Sequence, residues 1–101
     1  MVDYFMSNEA LLKYIGQQIR HMRINSNFTQ KELAQDAGIS RVTLDHLEDG
    51  DGVKLETLIR VLRALQKLEI LNSFETQAIV SPLLLAQVEG KMPNRVSKKR
   101  K

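Results

Sequence analysis

The chain has 101 residues, 43% of them hydrophobic and 27% charged, with a net charge of +3 and no cysteine. That length holds one small domain and leaves no room for a second with its own core. A disulfide framework and thiolate zinc sites are excluded, no apolar run approaches the roughly 18 residues that cross a bilayer, and residues 1–8 lack the pattern of a secretory signal, so a soluble intracellular protein is expected.

Helical periodicity runs through the chain, with no sustained alternation of the kind a strand needs. From Ser7, the residues Leu12, Ile15, Ile19 and Met22 recur every three or four positions and predict one buried stripe on a helix that runs to about Asn25. Asn25-Ser26-Asn27 reads as its stop. Thr29-Gln30-Lys31-Glu32 is a capping box: the Thr29 hydroxyl takes a free backbone N–H, and Glu32 reaches back to the Thr29 N–H. Phe28, just before it, is placed to staple onto Leu33. This second helix ends at Gly38, where glycine suits a left-handed cap.

Ser40 caps a third helix, from Arg41 to about Asp49, which stops at Gly50. A fourth helix is predicted from about Leu55 to Leu65, burying Leu55, Leu58, Leu62 and Leu65; Lys54 stands where a capping Ser, Thr or Asp would be expected. Residues 68–74 read as a short fifth helix. Ser81-Pro82 is a cap followed by proline at the first helical position, and predicts a sixth helix over 83–89. Residues 94–101 are polar and basic and are expected to be disordered in isolation.

Charge is unevenly placed. The last eleven residues hold six basic side chains and no acid, whereas the rest of the chain holds nine basic residues against twelve acids. The pI near 9.4 therefore belongs to the tail, and is a weak argument for nucleic acid by itself. Three readings of the tail stand side by side: a solvated charge run, an arm neutralising up to about six phosphates, or a segment that binds a partner.

The most informative stretch is 29–50. Two short helices meet at a turn, Ala34 is small enough to let them cross closely, and Leu33, Ala37, Ile39, Leu44 and Leu47 fall on the inner faces. That is a helix-turn-helix arrangement. Phe28-Thr29-Gln30-Lys31-Glu32-Leu33-Ala34, then Ala37-Gly38-Ile39-Ser40, then Leu47-Glu48-Asp49-Gly50 resembles the phage-repressor (Cro/C1, or XRE) helix-turn-helix family over roughly residues 15–65.

The resemblance implies an all-α, five-helix lambda-repressor-like DNA-binding domain over 1–75. A helical extension over 76–90 and the basic tail over 91–101 follow it. It implies that the third helix enters the major groove of double-stranded DNA, with Arg41, Val42 and His46 in base-reading slots and Thr43 and Asp45 at their edges. Arginine can pair bidentately with guanine, and a valine methyl can meet the thymine methyl. Thr29 and Gln30, at the start of helix 2, together with Ser40 and Lys54, are the implied phosphate contacts. Arg23 and Glu48 match a family ion pair that ties helix 1 to the end of helix 3, a structural staple. The chain departs from the family in placing Asp49 and Asp51 after the recognition helix, where carboxylates facing phosphates cost affinity. Dimerisation, the tail or a partner is then expected to compensate.

His21 is expected on the surface. No acids or histidines are spaced for a metal, and the chain carries no constellation for catalysis, so neither enzyme nor cofactor is expected. Leu68, Leu71, Phe74, Ile79, Leu83 and Leu84 are the candidate dimer surface; the alternative is that the last helix folds back over helices 4 and 5. The expectation is a cytoplasmic, prokaryotic or phage regulator, a homodimeric repressor that blocks a promoter. A second reading is an antitoxin that binds a toxin kinase and represses their shared operon. A third is a domain that has kept the fold and lost DNA binding.

Overall fold

The computed structural model describes residues 1–76. The expected sixth helix, the candidate dimer residues Ile79, Leu83 and Leu84, and the basic tail lie outside the described residues. Four α-helices follow in order: α1 (Asn8–Asn25), α2 (Gln30–Ala37), α3 (Arg41–Asp49) and α4 (Leu55–Ala64). A 3₁₀ helix, Leu68–Phe74, comes after them. No strand occurs among the described residues, and none of their helices is long and apolar enough to cross a membrane.

Local chemistry sets the helix boundaries. Ser7 accepts the Ala10 N–H at 3.0 Å and starts α1. The Thr29–Glu32 capping box is complete, with bonds of 3.0 and 2.9 Å. Ser40 accepts the Thr43 N–H at 3.0 Å and starts α3. Gly38 and Gly50 end α2 and α3 in the left-handed conformation, with φ of 73° and 87°. Lys54 makes no side-chain cap for α4. Asn27 and Gln66 also have positive φ, at the exits of α1 and α4. Asparagine visits that region readily; glutamine there is a strained choice.

α1 packs on α3, α2 packs on both α3 and α4, and the 3₁₀ helix packs on α4. Ile19, Leu33, Ala34, Ala37, Leu44, Leu47, Val61, Leu62 and Leu65 form the buried core. Phe28, Ile39 and Leu58 are partly buried against it. The predicted inner faces of α2 and α3 therefore meet.

Two expectations of burial need correction. Leu55 is not buried: it is 72% exposed, because it is the first residue of α4 and the stripe facing α2 begins further along. Leu12 and Ile15 are more than one-third exposed, so the buried part of the α1 stripe starts at Gly16 and Ile19. The short fifth helix lies over Leu68–Phe74 as expected, in the form of a 3₁₀ helix with no buried residue.

The closest backbone approach falls at a position that periodicity does not single out. A Cβ built on Gly16, in the middle of α1, would stand 2.5 Å from the carbonyl oxygens of Leu47 and Glu48. Gly50 closes the same crossing from the other side: a Cβ there would stand 2.7 Å from the Lys13 Cα. The two glycines let α1 lie directly on the last turn of α3. In an ordinary helix interior Gly→Ala gains up to about 1 kcal/mol. Here Gly16→Ala should instead lose about 1–3 kcal/mol through overpacking. The check is the urea midpoint, and an unchanged or raised midpoint would place α1 and α3 further apart than described.

Candidate nucleic-acid interface

Glu48, in the last turn of α3, has a fully buried carboxylate. Arg23 of α1 donates to it through Nε at 2.7 Å and Nη2 at 3.2 Å. Arg20 donates through Nε at 3.2 Å, and Gln30 of α2 through Nε2 at 3.0 Å. Burial alone would push this carboxyl up; the hydrogen bonds from Arg23, Gln30 and Arg20 outweigh it, so Glu48 is held below its ordinary value. Arg20 is raised in turn, chiefly by its hydrogen bond to Glu48 and further by Asp49. Arg23 also donates to the Phe28 carbonyl oxygen at 3.0 Å, which pins the α1–α2 turn. One carboxylate thus fastens three helices at the C-terminal end of α3.

The N-terminal end of α3 is open. Arg41, Val42, Asp45 and His46 are exposed and Thr43 is half-buried. Val42, at 66% exposure, presents an isolated apolar side chain to solvent. Arg41 Nε donates to Gln30 Oε1 at 3.4 Å, and Gln30 Nε2 also donates to Asp45 Oδ1 at 3.3 Å. Gln30, implied as a phosphate contact, therefore has both polar ends engaged within the chain and bridges α2 to the exposed face of α3. Thr29 takes part in its capping box, and the Ser40 and Thr43 hydroxyls lie 2.8 Å apart.

Ser40, Thr43 and His46 share an open groove of about 730 Å³ with Lys54 and Thr57 across the α3–α4 loop. Thr57, in the first turn of α4, was not singled out by sequence; its place three residues after the helix-starting Lys54 is the signal that could have found it. Arg20 was missed too. It lies one turn from Arg23 on an arginine-bearing face, but nothing in the sequence pairs it with Glu48.

The acids at the end of α3 are engaged. Asp49 Oδ1 lies 3.2 Å from Arg20 Nη2. Asp51 Oδ2 lies 2.8 Å from His46 Nδ1, and both side chains are exposed. That hydrogen bond raises the His46 pKa, with the carboxylates of Asp51, Asp45 and Asp49 adding to it. His21 is exposed. No cluster able to hold a metal ion occurs among the described residues.

Residues 19–70 match the family profile described as Helix-turn-helix. The matched span runs from the buried Ile19 of α1 into the 3₁₀ helix, and so contains the whole Glu48 cluster with Arg20, Arg23 and Gln30. A comparison with curated proteins finds no match.

Because Glu48 is held low, its contribution to stability is whole above the ordinary value of 4.5 and is lost as pH falls through the lower value it has in the folded chain. Arg23→Met leaves a buried carboxylate short of its best partner and should cost about 3 kcal/mol at neutral pH. The variant should also lose less stability on acidification than the parent, since its Glu48 is held less far down. Denaturant unfolding at pH 7 and at pH 3 checks both points; a deficit equal at the two values would remove Glu48 as the cause.

Proposed function

Since the chain belongs to the phage-repressor-like (Cro/C1, or XRE) helix-turn-helix family and is a DNA-binding regulator of transcription, we propose that it acts as a homodimeric repressor. Two copies place their α3 helices in successive major grooves about 34 Å apart, and occupation of a promoter blocks polymerase sterically. The exposed N-terminal face of α3, with Arg41 beside the solvent-facing Val42, carries this reading. Val42, Thr43, Asp45 and His46 share the base-edge surface with Arg41. Ser40, Lys54 and Thr57 line the adjoining groove, where a phosphate can reach them, and Thr29 stands at the start of α2. Leu68, Leu71 and Phe74, with Ile79, Leu83 and Leu84 beyond the described residues, contribute the surface for the second copy.

A toxin-binding surface built on the acids at the end of α3 would need them free. Asp49 and Asp51 are paired within the chain, so the repressor reading is the better supported. The same pairing lowers the cost of bringing those acids near phosphates.

Selection from a pool of random duplexes at about physiological salt tests the reading directly. A two-fold symmetric sequence is expected, and a motif without symmetry would remove the homodimer. Against the selected site, Arg41→Ala should cost about 1–3 kcal/mol and relax preference at one base pair in each half-site. Equal loss on every sequence would reassign Arg41 to the phosphate backbone.

Affinity should also fall as pH rises. Asp51 raises His46, which therefore keeps its charge to a higher pH than an ordinary histidine and loses it as pH rises further. Asp51 then faces the DNA as an unbalanced carboxylate. A loss of about two- to fivefold between pH 6 and pH 9 is expected, on the scale of an exposed ion pair. His46→Gln should flatten the profile in fluorescence anisotropy titrations, and a profile that persists in the variant assigns the effect elsewhere.

A further inference from the structure

Away from α3, the described chain leaves an apolar groove of about 360 Å³ between α1, α4 and the 3₁₀ helix. Ile15 and Met22 of α1, Leu58 and Leu62 of α4, and Ile70 and Phe74 of the 3₁₀ helix line it. Its rim is open: Ile15 and Ile70 are more than one-third exposed, and Phe74 is 81% exposed. Aromatic surface of that extent beside other apolar side chains marks a face that something covers.

We propose that the occupant is the chain's own 79–88 segment, seated on α1, α4 and the 3₁₀ helix of the same chain. Connection length is the first argument. Phe74 is itself a wall of the groove, and six residues, 75–80, separate it from the Ser81-Pro82 helix start. That falls within the two to eight residues that commonly join packed helices. A segment tethered at the rim meets the groove at a local concentration of millimolar order, which a second copy in dilute solution does not match.

Chemistry is the second argument. Residues 79–88, Ile-Val-Ser-Pro-Leu-Leu-Leu-Ala-Gln-Val, carry no charged side chain, so seating them against an apolar wall desolvates no ion. If they are helical from Leu83, then Leu83, Leu84, Leu85 and Val88 spread around more than one face. A helix apolar on more than one face is buried on more than one side. One side fills the groove and another stays available to a second copy. The inference therefore depends on neither DNA binding nor dimerisation.

The absence of cysteine makes the test specific. Ile15→Cys is combined in turn with Val80→Cys, Leu83→Cys, Leu84→Cys and Val88→Cys, because a disulfide needs its Cα atoms within roughly 4.4–6.8 Å and one position alone could miss. After mild oxidation of the full-length chain, at least one pair should lose both thiols while keeping the mass of a single chain, to the same extent on dilution. A covalent dimer in place of that product would seat a second copy's segment in the groove and overturn the proposal. Free thiols throughout the set would overturn it as well. Any variant that loses the helical circular dichroism signal is replaced by the same set built on Ile70→Cys, on the opposite wall.

Discussion

The structure depends on a carboxylate in a place where carboxylates are seldom found. Glu48 is buried at the point where α1 lies across the end of α3, and an unpaired charge there would be intolerable. Two arginines from α1 and a glutamine from α2 make it tolerable, and in doing so they fix the angle between those helices and α3. A hydrophobic residue of similar volume could fill the same space without the desolvation cost. What it could not do is fix the register: a set of directed hydrogen bonds from Arg20, Arg23 and Gln30 is satisfied in one arrangement of three helices, whereas apolar contact is satisfied in several.

The same cluster shapes the electrostatics of the reading face. Arg20 divides its guanidinium between the buried Glu48 and the exposed Asp49, so the staple also pairs an acid at the exposed end of α3. His46 Nδ1 is hydrogen-bonded to Asp51 on the same turn. Gln30 links the buried end to the exposed face, since its amide reaches Glu48 and Asp45 while its carbonyl oxygen accepts from Arg41. An acidic turn next to the recognition helix reads from sequence as a penalty. In three dimensions it is largely internal ion pairing, and its effect on DNA depends on whether those pairs survive at a given pH and salt concentration.

Most of the frame was legible in the sequence because its boundaries are local. A serine, a threonine with its glutamate and two glycines act within four residues of themselves, and the two caps at Thr29 and Ser40 and the two left-handed stops lie where those residues predict. The corrections come from longer range. Periodicity shows that Leu12, Ile15 and Leu55 share a face with core residues, but it carries no information on where the neighbouring helix begins, and each of the three lies at the margin of its partner. Gly16 was silent for a related reason: a glycine inside a helix is read as a weak position until a second backbone is found against it. Of the reading face, the exposed residues of α3 were visible through the family pattern. The Arg20 and His46 pairings were not, because nothing in a linear pattern assigns a surface cation to one of several nearby acids.

The two ends of α3 therefore do different work. Its last turn is clamped by Gly16, Gly50 and the Glu48 cluster, and side chains there answer to packing. Its first turn carries Arg41 and Val42 into solvent, while the Ser40 cap, a long bond from Arg41 to Gln30 and the buried Leu44 hold the turn in place. Substitution at the clamped end changes the position of the whole helix and with it every contact the helix could make. Substitution at the open end changes one contact and leaves the helix where it was, since exposed sites away from caps and networks contribute little to stability. A nine-residue helix can in this way keep a fixed seat while its exposed residues are free to change. Gln30 is where that separation is incomplete: it touches both ends, so a change there alters the seat and the reading face together.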